Sequence, residues 1–206
     1  MTGRYFTGNS VVIATHNSGK LHEIKNLLST FGFTVFSAAQ LKINEPEETE
    51  KTFVGNAILK ACHAAAASGK LALADDSGLC ISSLSGAPGV LSARWAGPNR
   101  NFALAISKVE EAMSTAKSKD TTAYFNCALA LAWPDMHHVV VEGKVMGNIV
   151  FPPRGEKGFG YDPIFQPDGY DISFGEMEPQ EKNAMCHRAK AFKKLIPHFF
   201  NEVDKN

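Results

Sequence analysis

The chain has 206 residues, of which 44% are hydrophobic, and its 21 basic residues balance its 21 acidic residues. This length is sufficient for a sizeable hydrophobic core, in one large domain or in one domain with an additional lobe. A net charge of zero excludes the overall basic field of a nucleic-acid-binding protein, and no apolar run is long enough to span a bilayer.

The cysteines and the first ten residues indicate the cellular compartment in which the protein is expected. Cys62, Cys80, Cys127 and Cys186 are far apart and form no CxxC pair, which argues against a zinc site and favours buried thiols in a reducing cytoplasm. The opening MTGRYFTGNS holds one arginine and no apolar stretch, so it lacks the features of a signal peptide. We therefore expect a cytoplasmic protein with no nucleic-acid partner and no membrane partner.

The first part of the chain alternates strand and helix signals. An apolar run over residues 11–15 predicts a buried strand, and the apolar spacing that follows predicts a helix over residues 20–28. Residues 33–36 predict a second strand. Strong helix formers predict a helix over residues 52–68, with Gly69 as its C-terminal cap.

The middle of the chain contains predicted strands at residues 71–74 and 79–82, separated by a break at residues 75–78. Residues 99–117 have a helical pattern. Alternating apolar residues between 122 and 147, on either side of a Pro-Asp pair, predict a β-hairpin or meander.

The last part begins with a segment dense in glycine and proline, residues 152–179, which is predicted to be mostly loop. Residues 181–200 have apolar positions at helical spacing and predict one terminal helix. The alternation along the whole chain indicates a mixed α/β fold.

A polar segment joins the first strand to the first helix: Thr15, His16, Asn17, Ser18, Gly19 and Lys20. A helix N-terminus has unpaired N–H groups and attracts anions. Capping by Asn17 or Ser18, with Lys20 as a solvated lysine, explains the segment equally well. Because a lysine in the first turn opposes the helix dipole, an anion beside Lys20 is the functional alternative. One glycine before Lys20, and Leu21 after it, exclude a Walker A loop.

Asp75 and Asp76 end a very apolar stretch. Neighbouring side chains of a strand point to opposite faces, so we expect the two acids to have different roles. The alternative is an ordinary Asp-Ser-Gly turn. A carboxylate at a strand end suits Mg²⁺, which prefers oxygen ligands and phosphate. Four further acidic residues precede the second predicted helix, and one of them is a candidate to share the metal: Glu45, Glu47, Glu48 and Glu50.

Two clusters lie near the C-terminus. Glycines at 155, 158 and 160 let the backbone approach a ligand closely, and either Phe159 or Tyr161 is placed to stack on a base. A packed surface loop is the alternative. Lys182, His187 and Arg188 follow in the terminal helix, where surface charges are common.

Together these clusters resemble the inosine triphosphate pyrophosphatase family, also called the Ham1-like or non-canonical purine NTP pyrophosphatase family, over residues 11–200. The resemblance is carried by Thr15, Asn17 and Lys20 of a T-x-N-x-x-K element, EET at 47–49, NAILKA at 56–61, ADDSGL at 74–79, GAPGVLSARWAG at 86–97, FGYDPIF at 159–165 and EKNAMCHRAKA at 181–191. Several ordered motifs are more specific than any one of them.

The resemblance implies an α/β fold with a long, curved, mixed sheet flanked by helices, forming two lobes around a central nucleotide-binding cleft. It implies one domain over residues 1–206 and a homodimer. It also implies Mg²⁺-dependent hydrolysis of non-canonical purine nucleoside triphosphates (ITP, dITP and XTP) to the monophosphate and pyrophosphate.

The resemblance assigns Asp76 as the catalytic acid/base and metal-linked residue, with Glu47 as a metal partner. It implies the following substrate-binding residues: Thr15, His16, Asn17, Ser18, Gly19, Lys20, Ser77, Phe159, Gly160, Tyr161, Asp162, Lys182, His187 and Arg188. His16 departs from the pattern, since bacterial relatives commonly have glycine there. We expect the Lys20 side chain to be exposed in the absence of ligand.

Two other functions are open from the sequence. One is a Maf-like pyrophosphatase that acts on other modified nucleotides, although the S-x-S-P-R opening of that group is absent. The other is a nucleotide sensor that binds the triphosphate without cleaving it; Asp76 together with the cationic residues argues against this function.

Overall fold

The structure is a computed structural model that describes residues 8–199. Its strands are β1 (Ser10–Ile13), β2 (Thr34–Ser37), β3 (Leu71–Ile81), β4 (Thr122–Ala132), β5 (His138–Ile149) and β6 (Phe165–Pro167). Its α-helices are α1 (Ser18–Leu28), α2 (Phe53–Ser68), α3 (Ser92–Trp95), α4 (Phe102–Thr115), α5 (Pro179–Met185) and α6 (His187–Phe199).

The strands form one mixed sheet in the order β2-β1-β3-β4-β5-β6. β1 pairs in parallel with β2 and β3, whereas β5 pairs antiparallel with β6. β4 and β5 form a hairpin, because Trp133 N donates to His137 O (2.9 Å) at one end and Ile149 N donates to Thr121 O (2.8 Å) at the other. The predicted mixed α/β class is therefore confirmed.

The sheet is buried on both faces around β1 and β3. Along these strands, apolar side chains alternate between two hydrophobic clusters, as the period of a strand requires. One cluster holds Val11, Ile13, Leu71 and Leu73 with residues of α1 and α6, and the other holds Val12, Ala72 and Ala74 with residues of α2. Continuous apolar runs in the sequence are typical of parallel strands covered on both faces.

Helix α2 begins one residue after the predicted start and ends at the predicted cap. The side chain of Thr52 accepts a hydrogen bond from Gly55 N at 3.0 Å and caps the N-terminus. Gly69 has a φ of +63° and donates its N–H to Ala65 O, which closes the last turn. The left-handed conformation explains the glycine at this position.

Two predicted elements are wrong. Residues 75–78 do not break a strand, since β3 runs without interruption from Leu71 to Ile81. The single terminal helix is two helices, because Cys186 adopts an extended conformation with ψ of 165° between α5 and α6. Neither glycine nor proline marks this break, so the local sequence contains no signal for it.

The described chain divides into two compact units. The first unit comprises the residues up to Asp76, residues 127–143 and the residues from Arg188 onward, and the second unit comprises residues 77–126 and 144–187. The boundaries fall within β3, β4 and β5 and after the first residue of α6. Among residues 8–199, no helix combines the length and hydropathy that a membrane span requires.

Candidate active site

The segment after β1 is organised by short-range hydrogen bonds. Asn17 is the N-cap of α1, and its Oδ1 accepts from Lys20 N at 3.2 Å. The backbone N–H of Asn17 in turn donates to Thr15 Oγ1 at 3.2 Å. The capping interpretation is thus confirmed for Asn17, and Ser18 is the first helical residue. Capping and anion binding are compatible, because a cap satisfies only part of the first turn.

His16 is directed to an acidic side chain. Its Nδ1 lies 3.4 Å from Glu45 Oε2, and both side chains are partly exposed, at 31% and 39%. The residue that departs from the family pattern therefore has a partner within the first unit.

Lys20 belongs to a buried network of charges. Its Nζ lies 3.1 Å from Asp75 Oδ2, and its side chain is 16% exposed, so the predicted exposure of Lys20 is wrong. Asp75 Oδ2 also accepts from an Nη of Arg188 at 3.0 Å, while the other Nη of Arg188 donates to Glu23 Oε2. Burial opposes ionisation of Asp75, but Lys20 and Arg188 outweigh it and hold the pKa of that carboxyl well below its usual range.

Asp76 has a different set of partners. Its Oδ1 accepts from Lys60 Nζ at 3.2 Å and its Oδ2 accepts from Asn56 Nδ2 at 3.3 Å. Lys60 Nζ also donates to Glu48 Oε1 at 2.6 Å. The expectation that the two adjacent acids have different roles is consistent with these contacts, since Asp75 meets Lys20 and Asp76 meets Lys60.

The pKa shifts of this second cluster have opposing causes. Burial raises the pKa of Asp76, Lys60 and Lys20 counteract part of that increase, and Glu48 and Asp75 add to it. Burial also opposes the charge on Lys60, but the carboxylates of Asp76, Asp75 and Glu48 outweigh it and raise the pKa of that lysine. The cluster therefore combines a firmly protonated lysine with a carboxyl group of increased basicity.

Two residues of this cluster, Asn56 and Lys60, were not assigned a role from the sequence, whereas Glu48 was one of four acidic candidates to share the metal. Asn56 and Lys60 are four positions apart on α2, which places them on the same side of the helix. Their spacing within NAILKA is the signal that was available. Glu48 is half-buried, whereas the predicted Glu47 is exposed.

In the second unit, Asp162 organises the glycine-rich segment. Its Oδ2 accepts from Phe159 N and from Lys182 Nζ, both at 2.7 Å. Gly158 has a φ of +76°, and a Cβ there would lie 2.1 Å from Asp162 Oδ2. The glycine is therefore required by a close approach within the protein. Gly160 also has a positive φ, of +72°.

The two aromatic residues of the segment differ in burial. Tyr161 is buried, donates its hydroxyl to Ser92 O at 2.8 Å and packs edge-on against Phe102. Phe159 is only partly buried, and its ring faces Lys182 Nζ at 4.6 Å from the centroid. Of the two, Phe159 is the aromatic side chain with solvent access for a ligand.

The cationic residues after position 180 belong to different units, with the boundary between His187 and Arg188. Lys182 and His187 belong to the second unit and Arg188 to the first. The imidazole of His187 is buried and stacks on Phe125, with ring centroids 4.9 Å apart and an interplanar angle of 12°. The remaining predicted residue, Ser77, lies half-buried on β3.

A metal cage formed by protein ligands alone does not occur in the described part of the chain. Within residues 8–199, no group of three or more histidine, cysteine, aspartate or glutamate side chains is arranged to hold an ion. Asp76 and Glu48 are two carboxylates that share Lys60. In many magnesium sites two carboxylates supply part of the coordination shell, and substrate oxygens and water complete it.

Comparison with known proteins identifies the family that the chain resembles. Residues 11–198 match the model of the Ham1 family. A dITP/XTP pyrophosphatase of Caulobacter vibrioides is 58% identical over 94% of this chain and 100% of its own length. The dITP/XTP pyrophosphatase of Rhodospirillum centenum is 53% identical over 96% of this chain and 98% of its own.

Solved structures of similar proteins have the same fold. A Ham1 protein from Coxiella burnetii aligns with a TM-score of 0.84 at 43% identity, covering 91% of this chain and 96% of that one. The Ham1 protein of Staphylococcus aureus aligns with a TM-score of 0.80 at 36% identity, covering 90% and 95%.

Proposed function

Because the chain belongs to the Ham1 family, we propose that it hydrolyses the non-canonical purine nucleotides ITP, dITP and XTP to the monophosphate and pyrophosphate. Relatives named dITP/XTP pyrophosphatase, at 48–58% identity over most of the chain, support this activity. Among the residues, the observation that supports this activity best is the buried Asp76 carboxyl, which accepts hydrogen bonds from Lys60 and Asn56.

We propose that water attacks the α-phosphorus, with pyrophosphate as the leaving group. The bond from that phosphorus to the bridging oxygen breaks, and negative charge accumulates on the leaving pyrophosphate. We infer that Lys20, at the N-terminal end of α1, counters this charge together with the positive end of the helix dipole. We assign residues 15–20 to phosphate binding on this basis.

Asp76 is proposed to orient the attacking water and accept its proton. A carboxylate with a raised pKa is a stronger base than an ordinary aspartate, and burial raises the pKa of Asp76. Lys60 favours the ionised form of Asp76 and fixes the orientation of the carboxylate through its 3.2 Å contact. Asn56 supplies a second fixed donor.

The cofactor is proposed to be Mg²⁺, with Asp76 and Glu48 as the residues that would hold it. These are hard oxygen ligands, and one or two carboxylates plus phosphate oxygens suit this ion. When bound, Mg²⁺ neutralises phosphate charge and acidifies bound water. Glu48 is preferred to the predicted Glu47 because Glu48 shares Lys60 with Asp76, whereas Glu47 is exposed.

Selection of the base is proposed to involve Phe159 and the polar groups around it. The exposed part of the Phe159 ring is available for stacking, and Lys182 and Asp162 lie beside it. Inosine and xanthine have a 6-keto group and an N1–H, which adenine lacks. A site that donates to O6 and accepts from N1–H leaves polar groups unpaired when adenine binds, a mismatch that can reach roughly 10⁴-fold.

A cytoplasmic homodimer is proposed from the resemblance to the family. The dimer is tested by light scattering over a range of protein concentrations. A monomer throughout that range would contradict it.

The decisive experiment for the activity compares five substrates: ITP, dITP, XTP, GTP and ATP, each with Mg²⁺. We expect far higher kcat/KM for the first three, with pyrophosphate and the monophosphate as products. In water labelled with ¹⁸O, the label should enter the monophosphate. Asp76→Asn is the control for contaminating hydrolases, since it should lose the activity.

The outcomes separate this function from the alternatives. Comparable kcat/KM for ATP and ITP would indicate a general nucleotide hydrolase. Release of orthophosphate would show attack at another phosphorus. Tight binding of ITP without products would indicate a sensor, and preference for other modified nucleotides would favour a Maf-like activity.

A further inference from the structure

Four charged side chains of the first unit form a continuous buried network: Glu23, Arg188, Asp75 and Lys20. Arg188 donates one Nη to Glu23 Oε2 and the other to Asp75 Oδ2 at 3.0 Å. The same Asp75 oxygen lies 3.1 Å from Lys20 Nζ. Two positive and two negative charges balance within the set.

Stability alone does not account for this network. Moving ions out of water is costly, and apolar side chains of similar volume often stabilise a core as well or better. The network has a burial gradient: the side-chain exposures are 1% for Arg188, 0% for Asp75, 8% for Glu23 and 16% for Lys20. Lys20 is therefore the member with most access to solvent, and the other three members anchor it.

The shared oxygen determines where the Lys20 ammonium lies. Asp75 is on the core strand β3 and Arg188 is on α6, so the carboxylate is held by two elements of the fold. Lys20 is on the first turn of α1 and has a long flexible side chain. The Asp75 carboxylate beside Lys20 also offsets the unfavourable interaction of the lysine with the positive end of helix α1.

We propose that Asp75 is a positioning residue of the phosphate site, holding the Lys20 ammonium in the place from which it binds the triphosphate. The proposal rests on the proposed function, in which Lys20 meets phosphate. It gives Asp75 a role separate from that of Asp76, because Asp75 acts through Lys20 rather than on water or metal.

Electrostatics and positioning predict opposite results for Asp75→Asn. The substitution removes a negative charge close to the phosphate site, which by itself would strengthen binding of an anion. Loss of the anchor frees the Lys20 side chain and weakens binding. The direction of the change therefore distinguishes the two effects.

The test measures steady-state cleavage of ITP at saturating Mg²⁺ and calorimetric binding of inorganic tripolyphosphate. For Asp75→Asn we expect KM to rise about tenfold with a smaller change in kcat, and tripolyphosphate affinity to fall by a similar factor. The matched control is Glu23→Gln. It removes the same charge from the same network but leaves the contact between Asp75 and Lys20, so we expect a change of about twofold or less.

A double-mutant cycle shows whether Asp75 acts through Lys20. In a Lys20→Ala background, Asp75→Asn should change KM by about twofold or less, because its target has gone. If the increases in KM of the two single variants multiply in the double variant, the proposal is overturned. Tighter tripolyphosphate binding in Asp75→Asn, or equal effects of Asp75→Asn and Glu23→Gln, would also overturn it. A purely structural role would give such multiplied or equal effects.

Folding is checked by circular dichroism. If Asp75→Asn does not fold, Asp75→Glu replaces it, since this variant keeps the charge and displaces the carboxylate by one methylene. The expected result is again a raised KM, and a wild-type KM would refute positioning. If the wild-type protein fails to cleave ITP, the proposed function fails, while the tripolyphosphate measurements still test the link between Asp75 and Lys20.

Discussion

Asp76→Asn is expected to have opposite effects on activity and on stability. Asparagine keeps the shape of the side chain and one oxygen, but removes its charge and basicity. If Asp76 acts as base or metal ligand, kcat should fall by ~10²–10⁴-fold. The same substitution should make the protein more stable.

The sign of the stability effect follows from the pKa of Asp76. Burial raises that pKa, so the folded state binds the proton more tightly than the unfolded state does. The stability contributed by the protonated form is therefore present at low pH and lost as the pH rises through the folded pKa. As the pH rises above the unfolded pKa of about 4, this group lowers the free energy of unfolding relative to its value at low pH.

The magnitude is the difference of larger opposing effects. At 3.2 Å, the attraction between Asp76 and Lys60 is about 5 kcal/mol with an effective dielectric constant of about 20. Burial of the carboxylate and repulsion from Glu48 and Asp75 exceed it, as the raised pKa requires. In Asp76→Asn, Lys60 keeps its 2.6 Å contact with Glu48. We expect a gain of about 1 kcal/mol, or about 2–4 °C in Tm.

The assay is thermal unfolding at neutral pH in the presence of a chelator, together with single-turnover cleavage of ITP. The chelator is needed because metal bound by the wild-type protein alone would stabilise it. Asp75→Asn is the matched control, and it should lose about 3–5 kcal/mol because it disrupts buried ion pairs. A lowered Tm in Asp76→Asn would refute the electrostatic reasoning, and wild-type turnover would refute its catalytic assignment.

Three further predictions concern Lys20, Asp75 and the pair of Phe159 and Tyr161. Lys20→Ala should raise KM for ITP by about tenfold or more while remaining folded, as steady-state kinetics and circular dichroism will show, and an unchanged KM would mean that Lys20 binds no phosphate. Because the pKa of Asp75 is lower in the folded state, its carboxylate stabilises the protein at pH values above the unfolded pKa of about 4, and this stabilisation is lost as the pH falls. Denaturant titrations should therefore show the free energies of unfolding of wild type and Asp75→Asn converging between about pH 5 and pH 2. A constant difference would contradict this. Phe159→Leu should reduce kcat/KM for ITP about tenfold through lost stacking, whereas Tyr161→Phe should mainly reduce stability, by about 1 kcal/mol. Kinetic and unfolding measurements on both variants test this, and the reverse pattern would assign the base contact to Tyr161.

Much of the local structure was predictable because its causes are local. The buried strand β1, the cap of α2 at Thr52 and its end at Gly69 follow from apolar periodicity and from backbone preferences of single residues. The hairpin of β4 and β5 follows from alternation along each strand. The ordered motifs also sufficed to identify the family.

The two wrong elements show where local reasoning fails. An Asp-Asp-Ser-Gly segment is ordinary turn chemistry when its surroundings are water. In this protein it continues β3, because Lys20 and Lys60 supply partners for the two acids from helices distant in sequence. The break at Cys186 likewise lacks a local signal and separates Lys182 from Arg188, which bind Asp162 and Asp75 respectively.

The sequence by itself determined the α/β class, the family and the identity of most candidate site residues, since these depend on short patterns and their order. Tertiary structure decided which charges meet: Asp75 with Lys20 and Arg188, and Asp76 with Lys60. Burial and the distance between charged groups set their pKa values and their accessibility. Both quantities depend on residues far apart in the chain, so no local pattern in the sequence contains them.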